Sequence, residues 1–438
     1  MYSLHHHLIK IFVLTLFEQP GFLAASNLYE VNLRQYSAEG SIQAFMKHLP
    51  RLKDMGVQIL WMMPIHPIGI KNRLGSLGNY YSIKDFEDVN PEFGSKEDFK
   101  ELVDAAHKLG MKVILDWVAN HAAWDNVWTV SNPDFFERDP EGNFKSPHDW
   151  KDVIQINHNN QAEQQAMINA MKYWVIEFDI DGFRADLAHL IPLPFWINAR
   201  AQVSRIKNDM IWLAETEEID YHKAFDISFA WRWMHDTEDY CKDKKPFEAL
   251  METLRYYNTG FPHNALHMYF TSNHDENSWN GTSFEKYNGY VKALSVFNAT
   301  WHGIPMIYSG EELPLTKRLA FFDKDAIDWS AERELHNFYK TLLDLRSKSQ
   351  AIAAGRFSAP VIIKGAAQKN VIAFYRRMEN AVLLVIINMD DKDVEFHFST
   401  EHIKGHYSNV FSGETQYLGE GGIVELKPGE YLVLSNEI

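Results

Sequence analysis

The chain has 438 residues, of which 46% are hydrophobic and 23% are charged, and this balance excludes a disordered or fibrous protein. The length suffices for one large domain with a smaller one attached, because single domains usually run to about 100–250 residues. Lysine and arginine together number 43 against 59 aspartates and glutamates, and the resulting net charge of −16 argues against nucleic acid as a partner.

The first 26 residues have some features of a secretory leader. An apolar run, Leu8–Phe17, is followed by small residues at positions 24–26, as in a signal peptide. The residues before the run carry no firm positive charge, and Glu18 and Pro20 interrupt the approach to a cleavage site. Localisation therefore stays open between export, if the run is a signal, and the cytoplasm. The single cysteine, Cys241, excludes an intramolecular disulfide, and no later run is long enough to span a membrane.

Between residues 27 and 350, short apolar segments rich in β-branched residues alternate with longer segments of helical period. The predicted strands are Leu28–Tyr36, Val57–Pro64, Lys112–Val118, Asp181–Leu187, Ile211–Thr216, Phe225–Phe229, His267–Asn273 and Pro305–Gly310. The predicted helices include Ser41–Met55, Lys96–Leu109, Gln161–Phe178 and about 331–348. Eight strand–helix units predict an α/β fold, a (β/α)8 TIM barrel, and an open sheet would need a glycine-rich loop that is missing after the first strand.

Two segments depart from this alternation. An insertion at about 119–160 follows the third strand and contains Trp124, Trp128 and Trp150, which either contact a ligand or only pack. Long loops after barrel strands lie on the face where barrels carry out chemistry, so this insertion should form one wall of a cleft. After residue 350, alternating patterns at 370–389, 393–398 and 422–434 predict a C-terminal antiparallel β-sandwich domain over 351–438.

The fourth and fifth predicted strands each end in a candidate catalytic carboxylate. In GFRADLAH, residues 182–189, alternation puts Arg184 and Asp186 on the same side of the strand. A guanidinium beside a carboxylate keeps the carboxylate ionised, which suits a nucleophile. In IWLAET, Glu215 ends an apolar strand, and a desolvated carboxyl holds its proton, which suits a general acid. Taken singly, each of these patterns also has a purely structural explanation.

Two further motifs lie at the ends of neighbouring strands. DWVANH, with Asp116 and His121, ends the third strand, and SNHDEN, with His274 and Asp275, follows the seventh. The carboxyl ends of barrel strands meet at one rim, where the active sites of such barrels are assembled. This coincidence favours a single site with one ionised and one protonated carboxyl, the arrangement that glycoside cleavage requires.

These four motifs, in this order and on these strands, resemble the four signatures of the α-amylase family of glycoside hydrolases, family 13. The resemblance covers nearly the whole chain, including the insertion and the C-terminal β domain. It implies a retaining enzyme that cleaves α-1,4-glucosidic bonds of starch-like α-glucans or maltooligosaccharides.

The resemblance also implies a role for each matching residue. Asp186 would be the nucleophile, Glu215 the general acid/base, and Asp275 the third carboxylate, which binds sugar hydroxyls and stabilises the transition state. Arg184 would orient Asp186, with Asp116 behind it. The other implied substrate-binding residues are Tyr81 as a stacking platform, His121 and His274 at the cleaved sugar, and His189, which stands where many members have the lysine of a Lys-His pair.

The implied metal site departs from the family pattern. Asn120 matches a frequent calcium ligand, but Gln155 stands where many members carry a calcium-binding aspartate. Calcium prefers several charged oxygen ligands, and a pair of neutral amides is a poor substitute. We therefore predict that no cofactor is required, and the residues disfavour calcium at Asn120 without excluding it.

Three alternatives remain open from the sequence. The chain could be an α-glucosidase or a transglycosylase on the same fold, because the choice between water and sugar as acceptor depends on loop shape. It could also be a non-catalytic carbohydrate-binding member, although Asp186, Glu215 and Asp275 are all present. The expected partner is an α-glucan or maltooligosaccharide, with no nucleic acid, no membrane and a monomeric state.

Overall fold

The computed structural model describes residues 17–330, 332–353, 355–365 and 370–437. Residues 1–16, which hold most of the predicted leader, lie outside this range. Residues 17–26 pack against the barrel: the Gln19 amide donates to the carbonyl of Asp226 at 3.0 Å. The buried Arg346 donates to the carbonyls of Ala24 and Ser26 at 2.9 and 3.1 Å.

Ten strands precede residue 310 in the described part of the chain. In chain order they are β1 (Leu28–Val31), β2 (Ile59–Met62), β3 (Lys112–Trp117), β4 (His121–Ala123), β5 (Val153–Gln155), β6 (Gly182–Ala185), β7 (Ile211–Ala214), β8 (Ile227–Phe229), β9 (Leu266–Tyr269) and β10 (Ile304–Tyr308). All except β4 and β5 form a closed barrel in sequence order, with parallel pairing throughout and β10 beside β1. The predicted (β/α)8 barrel is confirmed.

Helices cover the outside of the barrel. They are α1 (Leu33–Tyr36), α2 (Ile42–Met46), α3 (Leu49–Met55), α4 (Lys96–Lys108), α5 (Trp128–Ser131), α6 (Gln161–Phe178), α7 (Leu193–Val203), α8 (Trp231–Cys241), α9 (Phe247–Gly260), α10 (Ser283–Tyr287), α11 (Val291–Thr300), α12 (His336–Lys348) and α13 (Gln350–Ala353). Among the described residues, none of these helices has the length and apolar character needed to cross a bilayer.

Helix α4 shows how the sequence produces these elements. Ser95 and Asp98 cap each other's backbone N–H groups in a capping box, which fixes the start of the helix. Phe99, Leu102, Val103 and Ala106 recur at spacings of three and four and form its buried face. Burial of a large apolar side chain stabilises the fold by about 1.5–3 kcal/mol, so this face holds the helix against the barrel.

Two predicted elements near the N-terminus differ from the structure. The strand predicted over Leu28–Tyr36 ends at Val31, because the Asn32 side chain accepts a hydrogen bond from the Gln35 N–H and starts α1. The single helix predicted over Ser41–Met55 is divided into α2 and α3, because Pro50 is tolerated only in the first turn of a helix.

The C-terminal part of the chain is an antiparallel β-sandwich, as predicted. Its strands are β11 (Val361–Ile362), β12 (Val371–Met378), β13 (Ala381–Asn388), β14 (Val394–Phe398), β15 (Gly405–Asn409), β16 (Thr415–Leu418), β17 (Gly422–Leu426) and β18 (Tyr431–Ser435). A six-stranded sheet in the order β11-β12-β13-β18-β15-β16 packs on the pair β14-β17. The other face of the large sheet packs on the barrel, where the rings of Phe374 and Trp301 meet at 4.8 Å. Strand β13 is therefore buried on both faces, which explains its unbroken apolar sequence.

Glu311, just after β10, is a buried carboxyl outside the predicted site. Its oxygens accept hydrogen bonds from the hydroxyls of Thr271 and Ser283, both at 2.7 Å, and from the Tyr308 N–H at 2.8 Å. Burial outweighs these bonds and raises the pKa of Glu311 from 4.5 to about 7. Glu311 therefore holds a proton in the folded protein at a pH where the unfolded chain has released it.

The wild type should lose stability as the pH rises from about 4.5 to about 7, and we expect Glu311→Gln to abolish this loss. Because the folded pKa is the higher one, the contribution of Glu311 is complete below the unfolded pKa and is lost as the pH rises through the folded pKa. The difference between 4.5 and about 7 corresponds to about 3 kcal/mol. Urea denaturation of both proteins across this range should show the free energy of unfolding of the variant rising relative to wild type. A difference in the free energy of unfolding that does not change with pH would contradict this prediction. Glu334→Gln, at an exposed position, serves as control.

Candidate active site

The carboxyl ends of β3, β6, β7 and β9 bring the predicted catalytic residues together. Asp186, Glu215 and Asp275 all line one cleft of about 430 Å³ at this rim. Close packing of β6 against β7 contributes to this arrangement, since a Cβ on Gly182 would lie 2.1 Å from the carbonyl oxygen of Ile211. The other lining residues are Leu74, Asn79, Tyr81, His121, Asp149, Trp150, Lys151, Asp152, Val153, Leu187, Trp279, Phe321 and Phe322.

Arg184 contacts three carboxylates at once. Its Nη1 donates to Oδ1 of Asp116 at 2.7 Å and to Oδ1 of Asp186 at 2.9 Å, and its Nη2 lies 2.8 Å from Oε2 of Glu215. Asp116 and Arg184 are direct partners in the pairing of β3 with β6, so the sheet register sets the first contact. The guanidinium is only 1% exposed and lies 5.1 Å from the ring of Trp61.

Several groups act on the ionisation of Asp186 in opposite directions. Burial is the largest effect and raises the pKa of Asp186 well above its ordinary value; Arg184 opposes this, whereas Glu215 and Asp116 add to it. Arg184 does not act on Asp186 alone, because Asp116 and Glu215 contact the same guanidinium. Within the described part of the chain, Oδ2 of Asp186 is buried and has no hydrogen-bond partner.

Glu215 is oriented by the turn that follows Asp186. Leu187 has a φ of 43°, a left-handed conformation that few non-glycine residues adopt. This conformation directs the Leu187 N–H to Oε2 of Glu215 at 2.8 Å. The side chains of Asp186 and Glu215 are only 8% and 11% exposed. The two carboxyl groups are therefore held in place by contacts to the same guanidinium and the same turn.

Asp275 is in a different electrostatic environment. Its side chain is 44% exposed, and Oδ2 lies 3.4 Å from Nε2 of His274. Desolvation by the surrounding groups opposes ionisation, but the charge of His274 outweighs it and lowers the pKa of Asp275. Asp275 therefore ionises more readily than Asp186.

His274 is the second cation of the site. Burial would lower its pKa, but the carboxylates of Asp275 and Glu30 outweigh burial and raise it well above the ordinary value. Its Nδ1 lies 2.5 Å from Oε1 of Glu30, and its Nε2 lies 2.7 Å from the hydroxyl of Tyr81. The Tyr81 hydroxyl donates in turn to Oδ2 of Asp116 at 3.1 Å. This chain of hydrogen bonds fixes the ring of Tyr81 at the base of the cleft.

The other predicted substrate-binding residues have different positions. His121 is buried and lines the cleft, and burial lowers its pKa to about 4, so the ring is neutral at ordinary pH. Trp150 also lines the cleft, whereas the indole N–H of Trp124 donates to the carbonyl of Lys151 and Trp128 packs on Phe86. His189 is exposed near Glu215 but is not among the residues that line the cleft.

Sequence reasoning missed two groups of residues at the site. One is the aromatic group Trp279, Phe321 and Phe322 on loops after β9 and β10. The other is Glu30, the single acid in the apolar strand β1, which lies on the same side of that strand as Leu28 in the barrel interior. A lone charge at an inward position was a signal that could have found Glu30, whereas the loop aromatics had no comparable pattern.

At the calcium position that the resemblance implies, beside Asn120, the structure has the amide donor of Gln155 and no carboxylate. Nε2 of Gln155 donates to the backbone carbonyl of Asn120 at 2.9 Å and to its Oδ1 at 3.1 Å. A cation at this place would have to displace the amide group that now points at both oxygens. Across the described ranges, His, Cys, Asp and Glu side chains form no cluster of three or more suited to a metal ion. These residues do not fit the usual calcium.

A (β/α)8 barrel with several carboxylates around one buried arginine, in a cleft lined by aromatic rings, defines a barrel of the glycoside hydrolase class. A family model described as "Alpha amylase, catalytic domain" matches residues 24–331, and one described as "Alpha amylase, C-terminal all-beta domain" matches residues 363–433. The chain therefore belongs to the α-amylase family of glycoside hydrolases.

Individual relatives agree with this assignment. A crystal structure of a noncanonic maltogenic alpha-amylase from Thermotoga neapolitana is 30% identical, with a TM-score of 0.88 over 95% of this chain and 99% of that one. An alpha-amylase from Lactobacillus plantarum is 28% identical, with a TM-score of 0.86 over the same shares. A curated relative, Alpha-amylase 2 of Dictyoglomus thermophilum, is 25% identical over 88% of this chain and 69% of its own length.

Proposed function

We propose that this enzyme hydrolyses α-1,4-glucosidic bonds of starch-like glucans and maltooligosaccharides with retention of configuration. The observation that carries the proposal is the joint contact of Asp186 and Glu215 with Arg184, with Asp275 in the same cleft. The names of the relatives, alpha-amylases and maltogenic alpha-amylases among them, support this class of substrate.

In the first chemical step, a carboxylate oxygen of Asp186 attacks the anomeric carbon and the glycosidic bond breaks. The leaving oxygen takes the bonding electrons and receives a proton from Glu215. In the second step, Glu215 removes a proton from water, whose oxygen attacks the same carbon and releases Asp186 as a carboxylate. Two displacements at one carbon give net retention.

The charge around Arg184 supports this assignment of roles. In the proposed mechanism, Asp186 carries one negative charge and Glu215 carries one proton before the first step. After the step, the Asp186 ester is neutral and Glu215 carries the charge. The number of negative charges near the buried guanidinium is therefore constant, and no uncompensated charge has to be created at low dielectric.

The test of the proposal is an analysis of products from amylose and maltotriose, with the anomer followed by NMR spectroscopy. We expect a mixture of short maltooligosaccharides in which the α-anomer forms first. Glucose as the only product would indicate an α-glucosidase, and products longer than the substrate would indicate a transglycosylase. The β-anomer as first product would contradict the retaining mechanism.

We also propose that folding and activity do not require calcium at the position of Asn120 and Gln155. We expect EDTA to leave the Tm and kcat of the wild type unchanged, because the Gln155 amide already satisfies the Asn120 oxygens. Gln155→Asp replaces this donor with a carboxylate, so calcium should raise the Tm of that variant. Gln165→Asp, at an exposed position of α6, is the matched control. A fall in the wild-type Tm with EDTA would contradict the proposal.

A further inference from the structure

A single turn of π-helix, Glu276–Asn280, directly follows Asp275. Such turns are rare and occur frequently at functional sites. Several bonds hold this one: the Gly281 N–H donates to the Glu276 carbonyl at 2.9 Å, and the Glu276 N–H donates to Oδ1 of Asn273 at 2.7 Å. Glu276 also forms a buried ion pair with Lys286. Trp279, on this turn, therefore has a fixed position relative to Asp275.

The indole ring of Trp279 belongs to a strip of aromatic rings along the cleft. Its centroid lies 5.4 Å from that of Phe321 and 5.7 Å from that of Phe322. Phe321 in turn stacks on Tyr81, with centroids 6.5 Å apart and an angle of 19° between the rings. The strip therefore leads from Tyr81 beside the catalytic carboxylates to Trp279.

The strip is held together by a side chain of the π-turn. The Asn277 amide donates to the carbonyl of Lys317 at 3.2 Å, and its Oδ1 accepts from the Leu319 N–H at 2.9 Å. These two bonds attach the loop that carries Phe321 and Phe322 to the turn that carries Trp279. The Trp279 indole also lies beside the Asp275 carboxyl and helps to lower its pKa. The aromatic surface is therefore formed before any ligand binds.

Trp279 is nevertheless 53% exposed. A tryptophan that is held on several sides but keeps half of its surface in solvent offers a flat apolar face. The faces of a glucose ring carry C–H groups, while its hydroxyls lie at the edge, so such a ring can cover an indole and leave its hydroxyls free. Ligand pockets combine apolar aromatic surfaces with a few polar groups in this way.

We propose that Trp279 sets the preference of the enzyme for longer substrates. Its exposed indole face would bind a glucose unit that neighbours the unit held at Tyr81. This inference rests on the proposed cleavage of α-1,4-glucans. Substrates long enough to reach Trp279 gain the contact, and shorter ones do not. Trp279 is accordingly a specificity-determining residue and takes no part in bond cleavage.

The experiment compares kcat/KM for maltoheptaose and for p-nitrophenyl α-maltoside. In Trp279→Ala we expect kcat/KM to fall about tenfold more for maltoheptaose than for the aryl maltoside, equivalent to about 1.4 kcal/mol of lost binding. Trp279→Phe keeps an aromatic face. In this variant, the ratio of kcat/KM for maltoheptaose to kcat/KM for the aryl maltoside should stay within about threefold of wild type. Tyr417→Ala removes a ring that is 61% exposed on the C-terminal domain and should leave the ratio unchanged.

The outcomes separate this inference from the proposed function. A wild type that cleaves neither substrate overturns the proposed function and this inference with it. A wild type that cleaves both, with a Trp279→Ala variant that loses activity equally on both, overturns the inference alone. If Trp279→Ala proves unstable by its Tm, Trp279→Leu, which keeps much of the volume without a flat ring, is expected to show the same selective loss, and an unchanged ratio in it would overturn the inference.

Discussion

Asp186→Asn is expected to lower kcat by roughly 10⁴-fold or more on every substrate, because an amide oxygen is a poor nucleophile. The amide oxygen can still accept the hydrogen bond that Arg184 now donates at 2.9 Å, so the geometry of the site should survive. Binding of maltoheptaose by calorimetry should therefore persist. Loss of binding together with turnover would mean that Asp186 holds the fold of the cleft instead of attacking the sugar.

The same substitution should stabilise the protein. Burial and the neighbouring carboxylates raise the pKa of Asp186, which means that its charge is unfavourable in the folded state. Removing that charge relieves the repulsion among Asp116, Asp186 and Glu215, so the Tm of the variant should rise at neutral pH. Asp220→Asn, on an exposed loop, controls for the general effect of removing a carboxylate and should change neither kcat nor Tm.

The sequence was sufficient to predict the barrel and the rim. A carboxylate at the end of a predicted strand made Asp186 and Glu215 candidates, and the common rim of parallel strands grouped them. The signatures around Asp116 and Asp275 then pointed to one cleft, and the structure brings all four side chains to the same end of the barrel. Sequence patterns therefore predicted the position of a side chain wherever a regular strand determines that position.

Features that depend on tertiary contacts were not predictable in this way. The aromatic strip of Tyr81, Phe321 and Trp279 depends on the bonds of Asn277 to a loop 40 residues away. The shared use of Arg184 depends on the register of three strands, and without that register a simple pair with Asp186 was the natural expectation. One local feature was missed as well: Asn32 ended the first strand early by capping a helix, a competition that β-propensity does not include.

Glu215→Gln is expected to lower kcat on amylose by about 10²–10⁴-fold, because proton transfer to the leaving oxygen is lost. The side-chain oxygen of the introduced glutamine can still accept the Leu187 N–H, which now lies 2.8 Å from Oε2 of Glu215, so the turn should keep its conformation. The loss should depend on the leaving group. α-Maltosyl fluoride needs no proton at its leaving atom, and Asp186 is intact in this variant, so formation of the glycosyl–enzyme should be nearly as fast as in wild type.

The second half of the reaction gives the decisive contrast between the two carboxyls. Without a general base at position 215, water attacks the glycosyl–enzyme slowly, and a burst of fluoride should precede slow turnover. Azide is a nucleophile that needs no base, so added azide should accelerate turnover and yield an α-maltosyl azide. In Asp186→Asn no glycosyl–enzyme forms, so azide should not restore this α-product. Formation of the α-maltosyl azide by Asp186→Asn and not by Glu215→Gln would reverse the two roles, because this product requires a glycosyl–enzyme.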